Sequence, residues 1–152
     1  MYTTTVTRLV RAPRASVFAA LVDAAAIARW RVPDGMQCEV HDFDPREGGR
    51  FRISLTYDAG AGTGKSGGHT DTYHGHFIQL VPDEQVVEVI QFESTDTELA
   101  APMTITTTLR DAPGGTSVEI RHEAVPDSVR PEDNETGTRM ALDKLARLVE
   151  TG

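Results

Sequence analysis

The chain has 152 residues and a mass of 16.5 kDa, a length that points to a single domain, 1–152, whose folding buries roughly 68–70% of the unfolded surface. Hydrophobic residues make up 39% and charged residues 25%, and 15 Lys+Arg against 23 Asp+Glu leave a net charge of −8, so the basic footprint of a nucleic-acid binder is missing. The one cysteine, Cys38, fits a reducing, cytoplasmic setting; residues 1–7 lack the pattern of an export signal, and the Ala-rich run 15–28, broken by Asp23, is too short for membrane insertion.

Residues 3–10 alternate Thr with Val and Leu, a strand pattern. Pro13 ends it and is tolerated in the first turn of a helix, where Val17, Phe18, Leu21 and Val22 recur at helical spacing. Asp23 suits the N-cap of a second short helix that turns Ile27 and Trp30 toward the core, and Pro33-Asp34-Gly35 ends it. A meander of strands comes next, over 37–43, 50–57, 71–81, 85–93, 103–110 and 116–124, separated by Gly- and Pro-bearing turns. Short connections make neighbouring strands antiparallel. Pro131 then opens a long last helix with Glu132, Asp133 and Glu135 at its start and an apolar stripe of Ala141, Leu142, Leu145, Leu148 and Val149. Helices segregated from an antiparallel sheet make the class α+β.

This order resembles the helix-grip fold of the START-like (SRPBCC) superfamily, in which a curved seven-stranded antiparallel sheet wraps a long C-terminal helix, with two short helices after the first strand. The closer resemblance is to its branch named after the activator of the heat-shock protein ATPase (AHSA-like). The stretches that carry it are Ala12-Pro13-Arg14-Ala15-Ser16-Val17-Phe18, Arg29-Trp30 leading to Pro33, Asp44-Pro45-Arg46-Glu47-Gly48-Gly49-Arg50-Phe51, Gly75-His76-Phe77-Ile78-Gln79-Leu80-Val81-Pro82, and Gly115-Thr116 leading to His122. The family commonly has Gly-Trp near the start of the last helix where this chain has Gly137-Thr138, so that end of the cavity is expected to be roomier, or filled by Met140. Members of the superfamily include ligand carriers, cyclases and co-chaperone domains, so the resemblance speaks to fold more than to activity.

A hollow is expected from the geometry alone. A strongly curved sheet closing on one helix leaves space unless large side chains fill it; aromatic residues are only 6%, and Gly137 and Ala141 are small. Such a concavity is the default place for a small-molecule site. Alternation turns Phe51, Ile53, Leu55 and Tyr57 inward, with Met103, Ile105, Thr107 and Leu109, and with Val118, Ile120 and His122. On strand 85–93 Val86, Ile90 and Phe92 share a face with Glu88, where the family usually has an apolar residue; the opposite parity, Val87 and Val89 with Gln91, would send Glu88 to solvent. With Glu88 inward, pairing near Thr107, and Thr107 near Ile120 or His122, a polar row of Glu88, Thr107 and His122 is expected. A buried carboxylate then takes up a proton or needs a partner such as His122. The candidate ligand-binding residues are Trp30, Phe51, Ile53, Tyr73, Glu88, Ile90, Phe92, Ile105, Thr107, His122, Gly137 and Met140.

Three other patterns have a chemical look. Ala59-Gly60-Ala61-Gly62-Thr63-Gly64-Lys65-Ser66 fits a permissive phosphate-loop pattern, but residues 67–73 after it are strand-like, so the helix N-terminus that a phosphate cradle needs is missing, and the stretch reads as a flexible hairpin loop. His69, Asp71, His74 and His76 crowd one segment, with His41 elsewhere, and two histidines on one strand face are a weak metal signal. Cys38 has no base placed beside it by sequence. No metal and no cofactor is called for. The leading reading is non-covalent binding of a small hydrophobic or amphipathic molecule, lipid-like ligands included. A cyclase- or hydrolase-type enzyme using Glu88 and His122 as general acid and base is the alternative. A co-chaperone-like, stress-response module is the third, weakened because no additional amino-terminal chaperone-binding region is evident. An edge strand could pair into a homodimer, though nothing in the sequence requires it.

Overall fold

Alternating apolar and polar residues, bounded by Gly and Pro turns, build most of this molecule. The computed structural model describes residues 1–57 and 70–150. Its elements are β1 (Tyr2–Val10), α1 (Arg14–Leu21), α2 (Ala24–Trp30), β2 (Met36–Phe43), β3 (Arg50–Tyr57), β4 (Thr70–Val81), β5 (Gln85–Phe92), β6 (Met103–Ala112), β7 (Gly115–Val125) and α3 (Pro131–Val149). The strands form one antiparallel seven-stranded sheet, ordered β1-β7-β6-β5-β4-β3-β2. Strands β2 to β7 are a meander of hairpins, and β1 and β2 lie at opposite edges, bridged by α1 and α2. The long helix α3 packs against β1, α1 and α2. This is the α+β helix-grip arrangement expected from the sequence.

The inward face carries the core. Val6, Val10, Phe51, Ile53, Ile90, Ile105, Leu109, Val118 and Ile120 are buried, and Leu142, Leu145 and Ala146 of α3 meet them. Bulges between Val40 and Asp42 in β2, and between Phe77 and Gln79 in β4, interrupt the ladder. A bulge bends its strand and strengthens the local twist, which a sheet needs to wrap a helix. Asp23 caps α2 as its type predicts, accepting from the Ala25 amide at 3.0 Å.

The register corrects one expectation. Glu88 pairs with Ile105, not with Thr107, which lies opposite Val86; Thr107 pairs with Ile120, and His122 with Ile105. The expected polar row is therefore broken. Glu88 and His122 lie at one level across the sheet with Ile105 between them, and Thr107 sits one inward-facing position along. The shift arises because the β5–β6 connection is an irregular segment between Phe92 and Met103 with no tight two-residue turn to set the pairing.

Two glycines mark the extremes of crowding. A Cβ on Gly75 would stand 2.0 Å from the Val89 carbonyl oxygen and 2.8 Å from a Phe51 ring carbon, whereas a Cβ on Gly137 would meet nothing within 4 Å. Gly75→Ala should therefore cost about 2–4 kcal/mol of stability by forcing β4 away from β5. Gly137→Ala, inside α3, should add about 0.5–1 kcal/mol by restricting the unfolded chain. Urea unfolding of the two variants beside the parent checks both signs.

Candidate functional site

A cavity of about 590 Å³ lies between the concave face of the sheet and the first half of α3. Its sheet wall is formed by Leu55 and Tyr57 of β3, Tyr73 of β4, Ile90 and Phe92 of β5, Met103, Ile105 and Thr107 of β6, and Ile120 and His122 of β7. Trp30, Arg31, Val32 and Pro33 close one side from the end of α2, and Asp133, Asn134, Gly137, Thr138 and Ala141 of α3 form the roof. The roof is low in bulk. Gly137 has no side chain, and Thr138 folds back to donate its hydroxyl to the Asn134 carbonyl at 2.8 Å.

The candidates divide accordingly. Trp30, Tyr73, Ile90, Phe92, Ile105, Thr107, His122 and Gly137 are brought together around the cavity. Phe51, Ile53, Glu88 and Met140 do not line it. Phe51 is taken up by an aromatic cluster, 5.1 Å from the Phe77 ring and 6.5 Å from that of Tyr73 between centroids. Ile53 is fully packed in the core. Glu88 is covered by Arg31. Met140 occupies a half-buried position of α3 outside the lining, so it does not fill the space beside Gly137.

Local structure explains how each polar group arrives. Arg31 is the C-cap residue of α2, its amide bonded to the Ile27 carbonyl, which ends the helix and aims the chain back over the sheet. The Trp30 indole nitrogen donates to the Ala20 carbonyl at 2.9 Å, satisfying a group left over at the end of α1 and fixing the two short helices together. Lys144 of α3 donates to the Val32 carbonyl and pairs with Asp34 at 3.0 Å, pinning the chain just after Arg31.

The central interaction is an ion pair. One terminal nitrogen of Arg31 donates to both carboxylate oxygens of Glu88, at 2.9 and 3.0 Å, and the guanidinium carbon lies 5.9 Å from the Tyr73 ring centre. Burial works against a charged guanidinium, yet the Glu88 charge and hydrogen bond hold the Arg31 pKa above its ordinary value. Burial pushes the Tyr73 phenol up to about 12, against the opposing pull of Arg31. His122 is different. Its Nδ1 is sealed from solvent and has no hydrogen-bond partner among the described residues. Burial, reinforced by the Arg31 charge, brings its pKa down to about 4, so the imidazole is neutral near pH 7.

Sequence reasoning missed Arg31. The signal was present: an inward carboxylate on β5 demands a cation, and the arginine that ends α2 is the residue next to Trp30, whose spacing already turns it toward the core. Glu88 and His122 do not meet. They are two strands apart, about 10 Å between backbones at ordinary strand spacing.

The other patterns resolve separately. The phosphate-loop-like stretch 59–66 and His69 lie outside the described residues. His74 of β4 contacts Glu93 at 3.1 Å, and Arg52 of β3 holds the same carboxylate through two bonds of 2.9 Å, a surface cluster in which Arg52 first and then His74 keep Glu93 at about 2. Among the described residues no group of three or more His, Cys, Asp or Glu is placed to hold a metal ion. Burial pushes the Cys38 thiol up. No helix among the described residues is long and apolar enough to cross a membrane.

Residues 11–150 match the family described as activator of Hsp90 ATPase homolog 1-like protein. A crystal structure of a Chromobacterium violaceum protein is 31% identical, with a TM-score of 0.88 over 99% of this chain and 98% of that one. A Rhodobacter sphaeroides protein is 20% identical with a TM-score of 0.81, covering 97% and 91%. An AHSA1-like protein from Aeromonas hydrophila is 20% identical with a TM-score of 0.75, covering 98% and 92%. No curated protein matches the chain.

Two measurements probe the site. Removing one member of a buried pair strands the other's charge, so Arg31→Met should cost about 3–5 kcal/mol, while the double variant Arg31→Met/Glu88→Leu should recover most of it; denaturant unfolding of both reads this directly. The His122 ring titrates near 6.5 when unfolded and near 4 when folded, so the unfolded chain binds more protons between those values. Stability should fall as pH drops through that window, by up to about 3 kcal/mol, and His122→Phe should remove that part of the slope while leaving the carboxylate-driven loss at lower pH.

Proposed function

The chain belongs to the activator of Hsp90 ATPase homolog 1-like family, and within that family we propose that it binds a small hydrophobic or amphipathic molecule in the cavity between the sheet and α3, working as one START-like domain in the cytoplasm. The family and its fold are compatible with ligand binding and with co-chaperone roles. The observation that carries the binding reading is the cavity itself: about 590 Å³, with an apolar wall of Trp30, Ile90, Phe92, Met103, Ile105 and Ile120, one polar group at Arg31, Thr107 and His122 on the sheet side, and a second at Ser128, Arg130, Asp133, Asn134 and Thr138 around the start of α3. An apolar hollow of this size with a small convergent polar set is how a protein surrounds a small molecule and fixes its orientation. A core of ordinary packing density leaves no comparable void.

Burying an apolar ligand here contributes on the order of 25 cal/mol for each Å² taken out of water, and a ligand that binds only the folded state raises the melting temperature by mass action. Gently purified protein is expected to carry a small molecule visible as excess mass in native mass spectrometry. Gly137→Trp, which projects an indole into open space from the roof, should keep the fold and lose that mass. Retention of the same mass by the filled variant would place the ligand elsewhere.

A further inference from the structure

The charges at the polar end of the cavity narrow what can sit there. Arg31 lines the cavity with a side chain 19% exposed, but its charge is already cancelled by Glu88, whose side chain is 5% exposed, at 2.9 Å. An entering carboxylate would gain Arg31 only by sharing it with Glu88 and would stand close to a second negative charge. An entering ammonium would face Arg31. Either ion would shed its hydration for a site of no net charge, and an ion buried without a counter-charge is costly.

The same end nevertheless asks for a polar atom. Glu88 occupies one nitrogen of the guanidinium, leaving the donors of the other two beyond that pair. His122 lines the cavity on the neighbouring wall, with a ring nitrogen that is buried and unpartnered among the described residues. The hydroxyl of Thr107 lies on the strand between β5 and β7, on the same face. A buried group left unmet, as the His122 Nδ1 is among the described residues, is a standing cost that a suitable ligand atom removes, and Arg31 and Thr107 offer further hydrogen-bonding capacity beside it. The remaining charges of the lining, Arg130 and Asp133, are exposed at the start of α3 and opposite in sign, so they add no net charge at the mouth.

We infer that the molecule held in this cavity is an apolar one whose polar end is an uncharged oxygen, a hydroxyl or a carbonyl, lodged between Arg31 and His122, and that ionised head groups of either sign are rejected there. The inference rests on the proposed binding function and specifies its chemistry. An uncharged oxygen accepts from the guanidinium and, once the ring turns its sealed Nδ1 toward the cavity, satisfies the neutral imidazole without disturbing the Arg31–Glu88 pair, so the apolar tail meets Ile90, Phe92 and Ile105 with no charge to desolvate.

The test uses one tail with four heads: 1-decanol, decanoate, decylammonium and 1-chlorodecane, titrated into the full chain. Trp30 is the one tryptophan of the sequence and lines the cavity, so its fluorescence reports occupancy. Decanol is expected to bind about tenfold or more tighter than either ion. Glu88→Gln leaves Arg31 uncompensated, and decanoate should then gain about tenfold or more relative to decylammonium. His122→Phe should weaken decanol while leaving 1-chlorodecane, whose head makes no comparable hydrogen bond, unchanged, and it keeps the question open to refutation if Glu88→Gln does not fold. Binding of decanoate by the parent as tightly as decanol, an unaltered ion preference in folded Glu88→Gln, or equal losses of decanol and 1-chlorodecane in His122→Phe would each overturn the inference while leaving a cavity binder standing. Failure of all four probes to bind would overturn the binding reading and this inference with it.

Discussion

A carboxylate on the concave face of a closing sheet has to be met by a cation, and the Arg31–Glu88 pair is the contact around which the cavity end is arranged. Glu88 is 4% exposed and sits between Val86 and Ile90 on the inward face of β5. Left alone there it would cost several kcal/mol or surrender its charge. The cation comes from the other side of the molecule in sequence, 57 residues earlier, at the residue that ends α2. The pair therefore ties the α1–α2 crossover to the middle of the meander. Its net worth against an apolar replacement is small, but the loss of either half is severe, so its value is in fixing where α2 stops and which way the chain leaves it.

That placement decides the shape of the hollow. Trp30 can lie along the cavity wall because its indole is held at Ala20 and the residue after it is held at Glu88. Val32 is held in turn by Lys144 from α3. The helix thus meets the sheet at two levels. Leu142, Leu145 and Ala146 pack the closed half solidly, while Gly137, Thr138 and Ala141, one to two turns earlier, leave the open half unfilled. The same helix supplies a core at one end and a roof at the other, with Leu142 and Leu145 filling the first and Gly137 leaving space at the second.

Much of this is legible in the residues. Turn chemistry locates every strand to within a residue or two, and helical spacing and the Asp23 cap locate the helices. Inward parity is readable for β3, β6 and β7 because one face of each is plainly apolar. Strand β5 is ambiguous, since Val87 and Val89 are as apolar as Val86 and Ile90; what settles it is a contact from α2, and no local pattern encodes a partner 57 residues away. Register between β5 and β6 escapes the sequence for a related reason, because an irregular connection does not specify pairing as a two-residue turn does. Phe51 and Ile53 do point inward, but facing the core and facing a cavity look alike in sequence; only the bulk opposite them distinguishes the two.

The state of the polar groups favours holding a molecule over transforming one. A general acid or base works when its proton is exchangeable near the operating pH and within reach of the reacting atom. Both oxygens of Glu88 are committed to Arg31, and it lies outside the lining. His122 lies in the lining, but burial and the Arg31 charge keep it neutral well below the pH at which such a ring usually switches. Tyr73 is held protonated by burial. At this end the Arg31 charge is thus cancelled by Glu88, and His122 and Tyr73 are held neutral. That is poor equipment for moving protons and good equipment for a fixed hydrogen-bonding pattern, because a site whose charges do not change as the ligand arrives needs little reorganisation to receive it.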